Sequence, residues 1–587
     1  MSKKTEWLVA IERFIESGDI YQIKGAAREI FELDNESADG PLALAEAECY
    51  LNDLESAEYF LNEAKDLKKS LVSDLRGNFI KSLIFAAKFM PVSALVVFEK
   101  AVREENIVSG KKKLFEEVRE IQKDNKFSKV SNENREKFVY FKLLERYFAL
   151  AANNYALLGE AKKAKEVLYL ASELSIGNAL KLYSNFLFFS NYRPQTSSEV
   201  KRTLSVYGKL CEDAGIREVL YRLEPKTKDR PVKVGYISGI FREHATLPFL
   251  PALFSPPEGE KFEIYVYNMG KEDGYTRKLR EYPTHWRNLA ALKPRDAALK
   301  ISGDKLDILV DLAGHAEGSC MEILSYRPAP AQITTLGYFA SVGAPFIDYV
   351  ITDKFMMPLG KSERFVEKPL ILHKHSALCY APFDLSKPAE ISAPIEQNAY
   401  PTFLCQQNML KLSDDLLILW KQVFDKLGDF RLILQNKTIS TKEGRAHLQK
   451  RLKNLGYRLS QITLLPFAKD YKETFKQADL ALDTTPYPGG ATTCEAIYNG
   501  LPTVTLRGND PWSRLGASIL SAAHLEELIA DTPKDYANIM INLSQNTDKL
   551  IEVKSKLLSS LNSSRLMDLK GYSKELFGLY KKVYEES

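Results

Sequence analysis

At 587 residues, 45% of them hydrophobic and 27% charged, the chain has an ordinary globular composition but is too long for one core, so two to four domains are expected. A net charge of +4 with no concentrated block of lysine or arginine argues against a nucleic-acid-binding protein. The N-terminal MSKKTEWLVAIERF turns amphipathic and acidic at once, unlike a secretory leader, and no apolar run reaches bilayer-spanning length.

The first 220 or so residues read as helix, with apolar residues three and four apart and few prolines. Small residues recur seven apart in three segments: Ala57 and Ala64, Ala94 and Ala101, Ala164 and Ala171. Ala57, Ala94 and Ala164 are separated by 37 and 70 residues, near one and two tetratricopeptide periods. A generic helical bundle is the alternative. Beyond Pro225 short Val/Ile-rich segments alternate with helices: RPVKVGYISGIF, FEIYVYNM, DILVDLAGH, AQITTLGYFA and IDYVITDKF. That alternation predicts a parallel α/β sheet.

Residues 383–401, FDLSKPAEISAPIEQNAYP, read as a linker. A second α/β set follows: TFLCQQ, a helix through LLILWKQVFDKL, FRLILQNK, QITLLPF, and residues 478–506, in which the strand ADLALDT, the PYPGG turn, a short helix ATTCEAIYNG and a further strand in LPTVTL succeed one another. Two such halves predict a ligand cleft at the carboxyl ends of their strands. The last 60 residues, helical and charged, are expected to pack on the outside of the halves.

Three places carry candidate chemistry. In PYPGGATT a strand gives way to a helix through Gly489 and Gly490, with Thr492 and Thr493 in the first turn and Gly500 at the end. Helix-start N–H groups and close-approaching glycines favour an anion such as a phosphate. The plainer reading is a capping box, Thr492-x-x-Glu495, with Glu495 otherwise available to a ribose hydroxyl. In QQNMLKLSDD, Lys411 follows a strand with Asn408 nearby. A lysine there suits a departing diphosphate, or is a solvated residue before a Ser-Asp cap. His244 in FREHATLPF and His315 in DLAGHAEG follow strands of the first half, where a histidine binds a sugar hydroxyl, takes a proton, or simply packs. No Asp-x-Asp, HExxH or other paired metal-ligand spacing occurs, so no metal is expected. The six cysteines are scattered without a CxxC pair, which suits a reducing cytoplasm better than a disulfide framework or a zinc site.

Taken in order, VGYISGIFREHAT, DILVDLAGHAEGSCMEILSYRPAPAQITTLGYFASVGAPFIDYVITD, QNMLKLSDDLLILWKQVF and DLALDTTPYPGGATTCEAIYNGLPTVTLRGNDPWSRLGASIL resemble the O-linked N-acetylglucosamine transferase family. The resemblance includes its bacterial members and the related adhesin N-glycosyltransferases, and covers roughly residues 230–530. RPAPAQ followed by LGY and DYVITD is its most specific part. It implies an α/β, two-lobed GT-B fold of two Rossmann-like halves behind an all-α, tetratricopeptide-like N-terminal domain. The implied boundaries are 1–225 for the helical domain, 226–390 for the acceptor-side lobe and 391–587 for the UDP-sugar lobe.

The same resemblance implies inverting, metal-independent transfer from a UDP-sugar, UDP-N-acetylglucosamine in the leading reading, to Ser/Thr of a protein acceptor such as a flagellin or an adhesin. Lys411 matches the family lysine that neutralises the diphosphate, and Asn408 its amide neighbour. Gly489, Gly490, Ala491, Thr492 and Thr493 fall at the phosphate-binding helix start, Glu495 on the ribose, and Tyr471 where many members have a histidine near uracil. His244, with His315, Gly337 and Tyr338, falls on the sugar and acceptor side, and His244 is the candidate general base beside proton loss to the donor phosphate. The animal enzymes have His-Thr-Thr where this chain has Gly-Ala-Thr, which shifts donor contacts onto backbone N–H groups, Thr492 and Thr493. The competing readings are UDP-glucose transfer to asparagine, a UDP-sugar epimerase, and an inactive repeat scaffold.

Overall fold

The structure, a computed structural model, describes residues 3–107, 109–123, 132–214, 219–226, 229–357, 362–382, 393–468 and 470–586. By compactness the chain divides into one unit of residues 1–189 with 437–451, and a second of residues 190–436 with 452–587. The change of texture read at Pro225 marks the approach to the first strand; the division by compactness falls earlier, after Phe189.

The first unit is built from helix hairpins: Lys3–Ser17 with Ile20–Leu33, Asp39–Tyr50 with Leu54–Glu63, Leu71–Ala87 with Pro91–Glu104, and Asn132–Leu157 with Ala161–Glu173. Each turns through one residue of positive φ: Gly18 (74°), Asn52 (62°), Phe89 (56°) and Gly159 (81°). In each, the next N–H reaches back five residues, Asp19 to Phe14, Asp53 to Glu48, Met90 to Phe85 and Glu160 to Tyr155, at 2.8–2.9 Å. That closure satisfies carbonyls a helix end otherwise strands. Five residues past each turn stand Ile23, Ala57, Ala94 and Ala164, and twelve past it Ile30, Ala64, Ala101 and Ala171, all essentially inaccessible. The alanine spacing predicts three copies; the described residues contain four, the first carrying isoleucine in place of alanine. Gly18 and Asn52 are 34 residues apart.

The first helices of the four hairpins contribute a buried ionic cluster. Arg76 donates to Glu12 at 2.5 Å, Arg146 donates to Glu46 at 2.8 Å, and Arg146 also pairs with Glu12. Burial pushes the Glu12 carboxyl up, and the two guanidiniums oppose that push. The segment 437–451 completes this unit. Met90 provides no side-chain cap for the helix Pro91–Glu104. Glu443 does so instead, accepting from Val92 N–H at 2.7 Å, from Ser93 N–H at 3.2 Å and from the Ser93 hydroxyl. Thr438 Oγ1 donates to Leu157 O at 2.8 Å, at the end of another first-unit helix.

The second unit holds two all-parallel sheets. The first comprises β1 (Val232–Ser238), β2 (Phe262–Asn268), β3 (His285–Asn288), β4 (Ile308–Asp311), β5 (Ala331–Thr334), β6 (Tyr349–Asp353) and β7 (Lys368–Leu372), in spatial order β3-β2-β1-β4-β5-β6-β7. The second comprises β8 (Thr402–Cys405), β9 (Arg431–Asn436), β10 (Ile462–Pro466), β11 (Leu480–Leu482), β12 (Thr503–Leu506) and β13 (Ile529–Ala530), in order β10-β9-β8-β11-β12-β13. These are two Rossmann-like halves, and with the all-helical N-terminal region they make the two-lobed GT-B architecture. Central strands are apolar runs buried on both faces, as parallel sheets require. Strand order reverses between β1 and β4 and between β8 and β11, the places where parallel α/β sheets bind ligands at the carboxyl ends of their strands.

Of the expected linker, residues 383–392 lie outside the described residues; Ile395–Asn398 forms a short helix. Asp479 fastens the start of that helix and the start of β8, accepting from Ile395 N–H at 3.0 Å and Thr402 N–H at 2.8 Å. The C-terminal helices divide their packing. Pro533–Gln545 joins the second lobe, Tyr536 OH accepting from Trp420 Nε1 at 3.1 Å. Leu569–Glu586 packs on the first lobe, with Phe577 against Phe262 and Tyr580 against Tyr236. Glu575 on that helix accepts from the N–H groups of His373, Lys374 and His375. No described helix is long and apolar enough to cross a membrane.

Candidate functional site

At the reversal point of the second sheet two loops meet, one after β8 and one after β11. The first carries Lys411, whose Nζ donates to Pro488 O at 2.8 Å and to Gln407 Oε1 at 3.2 Å. The ammonium lies 5.1 Å from the centre of the Tyr487 ring, a cation–π distance. Burial pushes Lys411 down to about 8, against the opposing pull of Asp483 and Cys405. Asn408 does not turn toward the lysine. Its side chain is engaged in the local turn, accepting from Leu410 N–H at 3.0 Å, and the residue is exposed. The amide beside Lys411 is that of Gln407, which the sequence reading does not single out.

The loop after β11 is cinched by Asp483, which accepts from Thr484 N–H, Gly489 N–H and Thr505 Oγ1 at 2.7–2.8 Å. Burial pushes this carboxyl up, against those hydrogen bonds. Gly489 has no room for a side chain: a Cβ would stand 2.2 Å from Gln407 Nε2, 2.5 Å from Thr492 Oγ1 and 2.6 Å from Thr493 Oγ1. Gly490 caps the helix Ala491–Tyr498 with no side-chain hydrogen bond. The capping box of the plainer reading is not formed. Thr492 Oγ1 accepts from Gln407 Nε2 at 2.7 Å, while Glu495 accepts from Tyr471 OH at 2.8 Å, so both members are drawn off by partners distant in sequence. Thr493 Oγ1 is buried without a hydrogen-bond partner among the described residues. Such a hydroxyl, beside a glycine and helix-start N–H groups, calls for an acceptor.

A second pair borders this cradle. Tyr471 stacks on Phe467 at 5.2 Å and 24°, and Glu495, largely removed from water, has its carboxyl pushed up by burial. Lys411, Gly489, Thr492 and Thr493 are thus brought together around Gln407, while Tyr471 and Glu495 are brought to each other.

The reversal point of the first sheet is built differently. Gly239 after β1, Gly270 after β2 and Gly318 after β4 meet backbone to backbone: Gly239 N–H donates to Gly318 O at 3.0 Å, and a Cβ on Gly270 would lie 2.1 Å from Gly239 O. His244 follows β1 and is partly exposed. Its Nδ1 accepts from Thr246 N–H at 3.2 Å and lies 2.9 Å from Thr246 Oγ1. A backbone N–H only donates, so the neutral ring carries its proton on Nε2. That tautomer donates to an oxygen, and the Glu317 carboxylate stands 4.0 Å from Nε2.

His315, Gly337 and Tyr338 are placed in packing rather than on a cleft wall. His315 is buried, its Nε2 lies 2.8 Å from Val342 O, and its ring meets Tyr207 and Tyr338 edge-on. Burial pushes the imidazole down to about 4, against that hydrogen bond. Tyr338 OH accepts from Asn191 Nδ2 at 3.0 Å. A Cβ on Gly337 would lie 2.5 Å from Leu312 O, so that glycine serves close backbone approach. The chain turns inward at Gly314 (φ 54°), under Tyr338, and carries His315 with it.

Gln407, Asp483, Tyr487 and Tyr192, whose ring stacks on Tyr487 at 4.8 Å, are absent from the sequence reading. Gln407 and Asp483 do leave a signal, as polar residues two positions past β8 and directly past β11, both buried strands. Tyr192 leaves none. Among the described residues no three His, Cys, Asp or Glu side chains gather as a metal site.

Residues 197–378 and 398–576 match the family described as Glycosyl transferase family 41. Among curated proteins the chain is similar to a Solanum lycopersicum protein named probable UDP-N-acetylglucosamine–peptide N-acetylglucosaminyltransferase SPINDLY. They are 29% identical over 61% of this chain and 39% of that protein. It is also similar to the UDP-N-acetylglucosamine–peptide N-acetylglucosaminyltransferase of Caenorhabditis elegans, at 23% identity over 60% of this chain and 41% of that one. The chain thus spans about two fifths of the length of these relatives. Among solved structures, a mutant of the Thermobaculum terrenum O-GlcNAc transferase shares the fold with a TM-score of 0.69 at 22% identity, covering 100% of this chain and 98% of that one. The family match takes in both parallel sheets and the loops at both reversal points, and on it the chain belongs to glycosyl transferase family 41.

Proposed function

We propose that the chain is an inverting, metal-independent protein glycosyltransferase that moves N-acetylglucosamine from its UDP donor to Ser or Thr of a protein acceptor. The observation that carries this reading is the donor array at the β8/β11 reversal, where Lys411, Thr492, the unpartnered Thr493 hydroxyl and the start of helix Ala491–Tyr498 converge on Gly489. The names of the related proteins support the choice of donor and acceptor class.

In this mechanism the diphosphate lies against that array. The acceptor oxygen attacks the anomeric carbon from the opposite face, the bond from that carbon to the phosphate oxygen breaks, and UDP leaves with the electron pair. Negative charge grows on the departing diphosphate, where Lys411 and the threonine hydroxyls meet it with donors held in place before the reaction. Tyr471 supplies a flat ring for the base, and Glu495 an acceptor for ribose. His244, with its proton on Nε2, donates to a hydroxyl of the sugar or acceptor, and the acceptor's proton passes to the donor phosphate. We place the reaction in the cytoplasm, a reading supported by six cysteines that all remain thiols.

The test is to incubate the protein with a cell proteome and UDP-N-acetylglucosamine or UDP-glucose in parallel, and map modified sites by mass spectrometry. Acetylhexosamine on Ser or Thr is the expected product. Hexose on asparagine overturns the donor and linkage, and no transfer from either donor overturns the activity.

A further inference from the structure

We propose that Gln407 is a positioning residue for the diphosphate end of the donor, holding the Lys411 ammonium and the Thr492 hydroxyl so that each keeps a proton aimed at the ligand. This rests on reading the site as a UDP-sugar cradle and deepens it. The available protons dictate the arrangement. Lysine only donates, so the amide oxygen of Gln407 must be the end that faces Lys411, which fixes the NH₂ toward Thr492. The Thr492 oxygen accepts there at 2.7 Å, so its single proton is left to donate elsewhere. Of the three Lys411 protons one goes to Gln407 Oε1 and one to Pro488 O, leaving the third for a ligand.

Gln407 itself is buried and both ends of its amide are engaged. Its backbone is fixed as well, its carbonyl accepting from Asn436 Nδ2 at the end of β9. It acts through its neighbours rather than on the substrate. The clearance at Gly489 has the same logic: only a residue without Cβ lets the loop backbone close on this amide.

The charged and titratable groups facing Lys411 are Asp483 past β11, Cys405 at the end of β8, and the Tyr487 ring of the intervening loop. A carboxylate in place of the Gln407 amide would join Asp483 in favouring the charged lysine.

The test is calorimetric titration of the full chain with UDP between pH 7 and 10, for the native protein, Gln407→Leu and Gln407→Glu, with thermal unfolding of each. Gln407→Leu should weaken UDP binding about tenfold, the scale of losing ordered charge-assisted hydrogen bonds. Gln407→Glu keeps the size of the side chain and should move the alkaline loss of UDP affinity up by about one pH unit, because a new carboxylate holds the Lys411 proton. Because a glutamate accepts from Thr492 instead of donating to it, Gln407→Glu should also lose UDP affinity severalfold at pH 7, which a merely structural glutamine would not cause, and this isosteric variant carries the test if the leucine variant fails to fold. Native affinity in Gln407→Leu, or an unshifted limb in Gln407→Glu, overturns the proposal. Failure of the native protein to bind UDP overturns the proposed function instead, and this inference with it.

Discussion

The two sheets reverse their strand order at equivalent places, and each places an aspartate just there. Asp311 ends β4 and accepts from Ala313 N–H, Gly314 N–H and Thr334 Oγ1, the threonine belonging to the neighbouring strand β5. Asp483 follows β11 and does the same with Thr484 N–H, Gly489 N–H and Thr505 Oγ1, on the neighbouring β12. Past these matching anchors the loops diverge. The first turns inward and packs against glycines, His315 and Tyr338; the second runs through Gly489 to a helix start with two threonines, and meets Lys411 of the loop after β8. A shared strand geometry thus decides where a loop begins, while the residues after the anchor decide whether it becomes wall or ligand cradle.

The contrast is broken most severely at Lys411. Lys411→Ala should cost about 10²–10³ in turnover, the range for removing a donor that meets charge in the transition state. Transfer at near-native rates by that variant would remove the lysine from the mechanism. The same residue sets a pH limb: held down to about 8 by burial, it is charged at neutral pH and loses its proton as pH rises. kcat/KM for the donor should therefore fall above about pH 8, and a flat profile to pH 10 would contradict this. Next in size is Gly489→Ala, whose methyl must displace the Gln407 amide and both threonine hydroxyls. UDP affinity, read by calorimetry, should drop about thirtyfold, between the loss of one hydrogen bond and of several.

Thr493→Val sharpens the comparison more gently. It should raise the donor KM about tenfold while leaving the melting temperature equal or higher, because a buried hydroxyl without a partner is removed. A melting temperature lower by several degrees would show that the hydroxyl serves the fold instead. The smallest effect on binding belongs to the sealed loop. His315→Leu should lose about 1–3 kcal/mol of stability, since Val342 O loses its contact, yet leave UDP affinity within about twofold. A large loss of UDP affinity in a folded His315→Leu protein would erase the distinction drawn between the two loops.

What can be read ahead of the structure follows from burial. The central strands announce themselves as apolar runs, because both faces are covered. The strands missed are β3, β7 and β13, all at sheet edges: His285–Asn288 has Trp286 as its one apolar residue, β7 contains Pro369, and β13 has only two residues. In the site, the PYPGG loop and Lys411 are legible because strand ends and glycines leave local marks. The direction of a side chain after a strand does not. Asn408 and Gln407 are adjacent and chemically alike, and only the fold reveals that the first closes a local turn while the second joins Lys411 to Thr492. The Thr492–Glu495 capping box fails for a related reason, each member having a partner remote in sequence. The first hairpin stays hidden because isoleucine fills the close-packing positions that alanine marks elsewhere.

Glu443 has a consequence for how the chain is made. It caps the helix Pro91–Glu104 from 351 positions further along, and Thr438 fastens Leu157 from 281. During synthesis the four hairpins can form from neighbours alone, but the third emerges with its helix start unsatisfied. It stays so until both sheets have begun and β9 has left the ribosome. At about 5–20 residues per second, that interval lasts tens of seconds. The helical unit is thus finished by a late arrival, and its earliest form is a looser one, in which amide hydrogens at the start of that helix exchange freely until residue 443 comes into place.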